Sequence, residues 1–170
     1  MVFVSFAGTE SQFGDWFTDL ANGTTGHSLQ YAEAIRLMKG LIEQYGSENL
    51  HLVGHSLGGG LASASALFFD LPASTFNAAG VHPIAIAGGK KGLRDDSRIT
   101  SYVVCGEALN SLQSAIPFLM PDSRGRRIDL AQNNKYPTEL HKMVPLIEQI
   151  ELELRMARKR LQQLSSKESR

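Results

Sequence analysis

Residues 50–69 restrict the possible folds of this chain more than any other stretch. Leu50-His-Leu-Val53 is a short apolar run of strand type that enters Gly54-His-Ser-Leu-Gly58, and small residues with good helix formers then continue to Phe69. A strand that turns directly into a helix is half of a crossover unit, and a crossover demands a further strand parallel to the first. The rest of the chain supplies matching pieces. Residues 2–6, 74–77 and 99–105 are β-branched or aromatic runs closed by turn residues. Between the first two strands, Leu29, Ala32, Ile35, Met38, Leu41 and Ile42 recur at mostly three-residue steps before Gly46, which predicts an amphipathic helix over about residues 28–45.

Strands alternating with helices imply a three-layer α/β domain with a mainly parallel sheet and helices on both faces. Residues 116–130, with Pro117, Pro121 and Gly125, are expected to form an irregular segment or hairpin. A last helix is expected to start near Pro145, with His141 in the loop before it. The expected organisation is one domain over residues 1–150 and a charged helical extension over residues 151–170.

Composition narrows the function classes. The 17 basic and 17 acidic side chains cancel, so no basic excess favours nucleic acid. The single cysteine, Cys105, excludes an internal disulfide and a cysteine zinc cluster. Histidines 27, 51, 55, 82 and 141 lack the spacing of a metal motif, so neither metal nor cofactor is expected. The first eight residues lack the basic leader and long apolar stretch of a signal peptide, and the longest uncharged run, residues 49–69, is rich in Gly and Ser and carries two histidines. With no membrane span expected either, the location stays open among the cytoplasm, a piece of a longer secreted protein, and export by a signal-independent route.

Gly54-His-Ser-Leu-Gly58 is a G-x-S-x-G sequence, and its strand-to-helix setting is that of a nucleophile elbow. A serine in so tight a turn is strained, and neighbours two residues away must lack side chains, as Gly54 and Gly58 do. The same turn places the Leu57 amide at a helix N-terminus, where it can donate to an oxyanion beside the Ser56 hydroxyl. The plainer reading is a Gly-rich turn with Ser56 as a helix cap. A second Gly-His-Ser-Leu, residues 26–29, has Gln30 in place of the second glycine and no preceding strand, so it is a helix start capped by Ser28.

Elbow enzymes order their partners Ser, acid, His along the chain. His141 is late enough to be the base, with His82 as runner-up, and Glu107 follows the strand over residues 99–105 at a productive place for the acid. Asp122 and Asp129 compete with Glu107, whereas Asp95 and Asp96 fit a solvated turn.

These residues resemble the fungal-type, or class 3, lipases of the α/β-hydrolase superfamily. The family's first block is matched by Val4-Ser-Phe-Ala-Gly-Thr-Glu-Ser11, Asp15-Trp16 and Asp19-Leu20, its elbow by residues 54–59, and its following strand by Thr75-Phe-Asn-Ala78. Ala7 stands where the family usually has Arg, and Glu107 where Asp is commoner. The resemblance implies a second oxyanion donor at Thr9, opposite Leu57, a lipid ester substrate of lipase or phospholipase type, and further N-terminal structure including lid elements.

The C-terminal region places Ile147, Ile150, Leu154, Ala157, Leu161 and Leu164 at heptad spacing, and the last twenty residues hold six basic and three acidic side chains. Such a helix fits a partner, a second copy, or an anionic membrane surface. Two other functions stay open: a non-catalytic α/β module that assembles through this helix, and an acyltransferase.

Overall fold

The computed structural model describes residues 1–8, 26–81, 96–106, 123–131 and 142–168. The elements in chain order are β1 (Val2–Phe6), α1 (Gly26–Tyr45), a 3-10 turn (Ser47–Asn49), β2 (Leu50–His55), α2 (Leu57–Phe69), β3 (Ala73–Phe76), β4 (Ile99–Val104), β5 (Arg126–Leu130) and α3 (Met143–Glu168). The described strands form one five-stranded sheet in the order β1-β2-β3-β4-β5, every neighbouring pair parallel. All strands therefore end at the same edge of the sheet, where crevices of open α/β folds lie.

Alternation along the strands sorts the side chains into two faces. On one, Leu50, Leu52, Ala73 and Ile99 pack with Tyr31, Ala34 and Met38 of α1 and with Ala62, Ala66 and Leu67 of α2. The small side chains of α2 let its backbone lie close to the sheet. On the other face, Val104 and Leu130 bury Leu146 of α3, flanked by Phe76, Tyr102, Ile128 and Ile150, and the Phe76 and Tyr102 rings stack at 5.2 Å. Helices thus lie on both faces, as the alternating pattern predicts. On β1, at the other end of that second face, Phe3 is 65% exposed.

Helices α1 and α2 stop where the chain turns left-handed. Gly46, at φ 77, ends α1 and donates its N–H to the Ile42 carbonyl at 2.9 Å. Asp70, at φ 61 before Leu71 and Pro72, ends α2.

The sequence reading misses β5. Part of the span expected to be irregular or a hairpin is a strand parallel to β4, with Tyr102 opposite Ile128 and Val104 opposite Leu130. Its charged residues Arg126, Arg127 and Asp129 are exposed, as suits an edge strand, and they hide the apolar alternation. Gly125, at φ 100, packs its α-carbon against Ile99 and opens the strand.

Candidate active site

The site grows from the end of β2. There the chain passes from extended strand into α2 in a single residue, Ser56, at φ 56 and ψ −126. A residue with a Cβ occupies that region only when its surroundings force it to, and the forces are visible on both sides of the peptide. The Ser56 N–H donates to the Phe76 carbonyl at 3.1 Å, while its carbonyl accepts the N–H groups of Gly60 at 3.2 Å and Ala79 at 2.9 Å. The end of β3 and the first turn of α2 together hold the strained residue. Ser56 itself is 7% exposed.

Close approach explains the flanking glycines. A Cβ on Gly54 would overlap the Gly58 carbonyl and lie 2.7 Å from the Gly59 nitrogen; one on Gly58 would overlap the Phe6 carbonyl and lie 2.8 Å from the Ala7 carbonyl carbon. The first contact closes the turn on itself. The second presses the exit of β1 against the start of α2, and a Cβ built on Gly8 would stand 3.6 Å from the Ser56 Cβ. The expected pair Ser56 and Leu57 therefore meets the segment that leads into Thr9. Leu57 is the first residue of α2, so its N–H has no acceptor within the helix.

Beside this junction lies a cleft of about 460 Å³ between the end of β1, α1 and α2, lined by Phe6, Ala34, Leu37, Leu57 and Leu61 together with Gln30, Glu33 and Arg36. That volume is in the range of small-molecule sites. The apolar lining with a few polar groups suits a ligand that carries hydrocarbon and a polar end.

Thr9, Glu107 and His141 lie outside the described residues, as do the runner-up His82, the competing carboxylate Asp122, and Asp95 of the expected solvated turn. The described chain leads up to two of these positions. Gly8 abuts Ser56, and Gly106, at φ 77, follows β4 at the same sheet edge as the elbow. β4 is two strands from β2, about 9.5 Å at ordinary strand spacing.

The other two carboxylates have different work. Asp129 sits on β5, three strands from β2, with Arg127 Nε 2.6 Å from its Oδ1 at the surface. Asp96 accepts the Gly125 N–H at 2.9 Å at the opposite edge of the sheet, tying the starts of β4 and β5 together. His51 is also engaged away from the elbow, its Nε2 3.0 Å from Ser74 Oγ and its ring 5.5 Å from that of Phe3. Burial holds its imidazole below the ordinary histidine range.

Asn77 is the positioning residue that sequence reasoning missed. It is 1% exposed, takes φ 41, donates its N–H to the Tyr102 carbonyl, and accepts the Val104 N–H on Oδ1 at 2.9 Å. One side chain thus ties the end of β3, which clamps Ser56, to the end of β4, which leads to Glu107. Its signal was present as an amide residue directly after an apolar strand, but its partners are backbone atoms that no pattern reveals.

Residues 1–166 match a phospholipase-like family described as Tle-like phospholipase domain. Extracellular phospholipase A1 of Serratia liquefaciens is 35% identical over 138 residues, which cover 77% of this chain and 42% of the relative. The chain thus spans less than half the length of that relative. A solved alpha/beta hydrolase enzyme from the metagenome of sediments of the Mar Chica lagoon, Morocco, aligns with a TM-score of 0.46 and 15% identity over 92% of this chain and 91% of that one.

Proposed function

The chain belongs to the family of Tle-like phospholipase domains, and from that premise we propose that it hydrolyses an acyl ester of a glycerophospholipid through a covalent acyl-serine. Ser56 is the nucleophile in this reading. The observation that carries it is the strained backbone of Ser56 at the β2–α2 junction, held by Phe76, Gly60 and Ala79, because strain maintained by so many contacts is characteristic of functional turns.

The chemistry runs as follows. His141 takes the Ser56 proton as the Oγ–carbon bond forms at the ester carbonyl, and Glu107 orients the imidazole. The Leu57 and Thr9 amides donate to the developing oxyanion, each such donor being worth about 2.7–4 kcal/mol of transition-state stabilisation. As the ester carbon–oxygen bond breaks, His141 returns the proton to the leaving alcohol, and water then releases the fatty acid by the reverse sequence. The roles of Thr9, Glu107 and His141 come from chain order and from the resemblance to class 3 lipases. The cleft lined by Phe6, Leu37, Leu57 and Leu61 is the place for the acyl chain. The Serratia liquefaciens relative supports a phospholipid headgroup over a triglyceride, and its extracellular description supports action outside the producing cell. Among the described residues no helix is long and apolar enough to cross a membrane.

Intact mass after incubation with a fluorophosphonate tests the nucleophile without a choice of substrate. One adduct on the wild type, absent from Ser56→Ala and His141→Ala, is the expected result, with fatty acid release from phospholipid mixed micelles lost in parallel. A folded wild type that takes no label would overturn the proposal. Release of acyl chains only to an added alcohol would turn it into an acyltransferase.

A further inference from the structure

Helix α3 is 26 residues long, about 39 Å, and among the described residues its docking contacts come from its first half. Leu146 is fully buried and Gln149 is 5% exposed, Ile150 packs on the Val104–Leu130 cluster, and Glu153 accepts the Ala131 N–H at 3.3 Å. From residue 154 through residue 163 every side chain is exposed. Three large apolar side chains nonetheless stand on one flank of the helix at seven-residue steps: Ile147 is 47% exposed, Leu154 51% and Leu161 66%. Side chains seven apart share a face, so they form a single stripe running from the docked half into the exposed half.

The charges along this helix are in blocks. Glu148, Glu151 and Glu153 precede Leu154, and Arg155, Arg158, Lys159 and Arg160 follow it. The apolar stripe and the charge blocks have the same centre. Ile147 and Leu161 lie seven residues, about 10.5 Å, on either side of Leu154, and the acidic block lies on one side of it and the basic block on the other.

We propose that this flank of α3 pairs antiparallel with α3 of a second copy of the chain, about a two-fold axis beside Leu154. In that arrangement Leu154 meets its counterpart, Ile147 lies toward the Leu161 end of the other helix, and Glu151 comes near Arg158. Each acidic block faces a basic block, and the two helix dipoles oppose. A parallel pair would set acid beside acid and base beside base. An isologous contact of this kind requires a surface complementary to itself, which the symmetry of stripe and charge about Leu154 supplies. A lipid surface is disfavoured by the same pattern, because helices lying on anionic membranes carry Lys and Arg along the whole polar face, whereas Glu148 and Glu151 occupy this one.

Sedimentation of the full chain, from about 1 to about 200 μM because association depends on concentration, tests the proposal. The wild type should pass from monomer to dimer in that range. Leu161→Glu, at an exposed position, should be monomeric throughout with an unchanged circular dichroism spectrum. Arg158→Glu should raise the dimer dissociation constant at least about tenfold, and the double variant Glu151→Arg with Arg158→Glu should recover it to within about threefold, because exchange restores the opposed pairs only in an antiparallel dimer. A wild type that stays monomeric overturns the proposal. So does a double variant as weak as the single one, or a monomer that instead floats with vesicles of phosphatidylglycerol and phosphatidylcholine.

Discussion

Replacing Ser56 by glycine should make the protein more stable while abolishing the reactivity assigned to it. The backbone at φ 56 and ψ −126 costs a residue with a Cβ on the order of 1–3 kcal/mol, and glycine occupies that region without penalty. Against this gain stands the extra freedom of glycine in the unfolded chain, about 0.4–1 kcal/mol. The serine side chain is a single hydroxymethyl, so little packing is lost. The net is a stabilisation of roughly 0.5–2 kcal/mol, or about 2–6 °C in Tm for a chain of this length. Ser56→Ala is the control. It keeps the Cβ and therefore the strain, and its Tm should fall within about 2 °C of wild type, the effect of roughly 0.5 kcal/mol. Differential scanning calorimetry of the three proteins isolates the strain as the difference between glycine and alanine at one site. If the glycine variant melts at or below the alanine variant, the turn is not strained, and the argument from strain to a functional elbow collapses.

Three further outcomes are expected. Gly58→Ala should lose about 2 kcal/mol or more and slow fluorophosphonate labelling at least about tenfold, because its Cβ overlaps backbone at the exit of β1; wild-type Tm and rate would count against that close approach. Asn77→Ala should cost about 1–3 kcal/mol in urea unfolding, since the buried Val104 N–H loses its acceptor; a change under about 0.5 kcal/mol would assign that N–H another partner. Tyr31 is buried with its hydroxyl donating to the Gly80 carbonyl, and desolvation pushes its pKa up from 10.0 to about 12. A folded pKa above the unfolded one contributes stability below pH 10 that is lost as the pH rises from 10 to 12. Urea titrations across that window should show the fall in wild type and a smaller one in Tyr31→Phe, and equal slopes would refute it.

Much of this fold was legible because its signals are local. The strands β1, β2, β3 and β4 carry short apolar runs, and the two helices on the first face carry either a three-to-four-residue stripe or a run of small residues. β5 was not legible, because an edge strand half in water shows charge where a central strand shows valine. At the candidate site, the tight turn at Ser56 was legible by one rule of spacing: a strand-to-helix turn of that tightness needs glycine two residues to either side.

Other features could be decided only by the assembled chain. Gly8 beside Ser56, the clamp from Phe76 and Ala79, and the Asn77 tie between β3 and β4 join residues 20 to 50 positions apart, mostly through backbone atoms that every residue possesses. The amino-acid sequence determined which turn would be strained, since that depends on a missing Cβ and on neighbours along the chain. Tertiary structure decided what holds the strain and which surface stays uncovered, since backbone partners and burial depend on how distant segments pack.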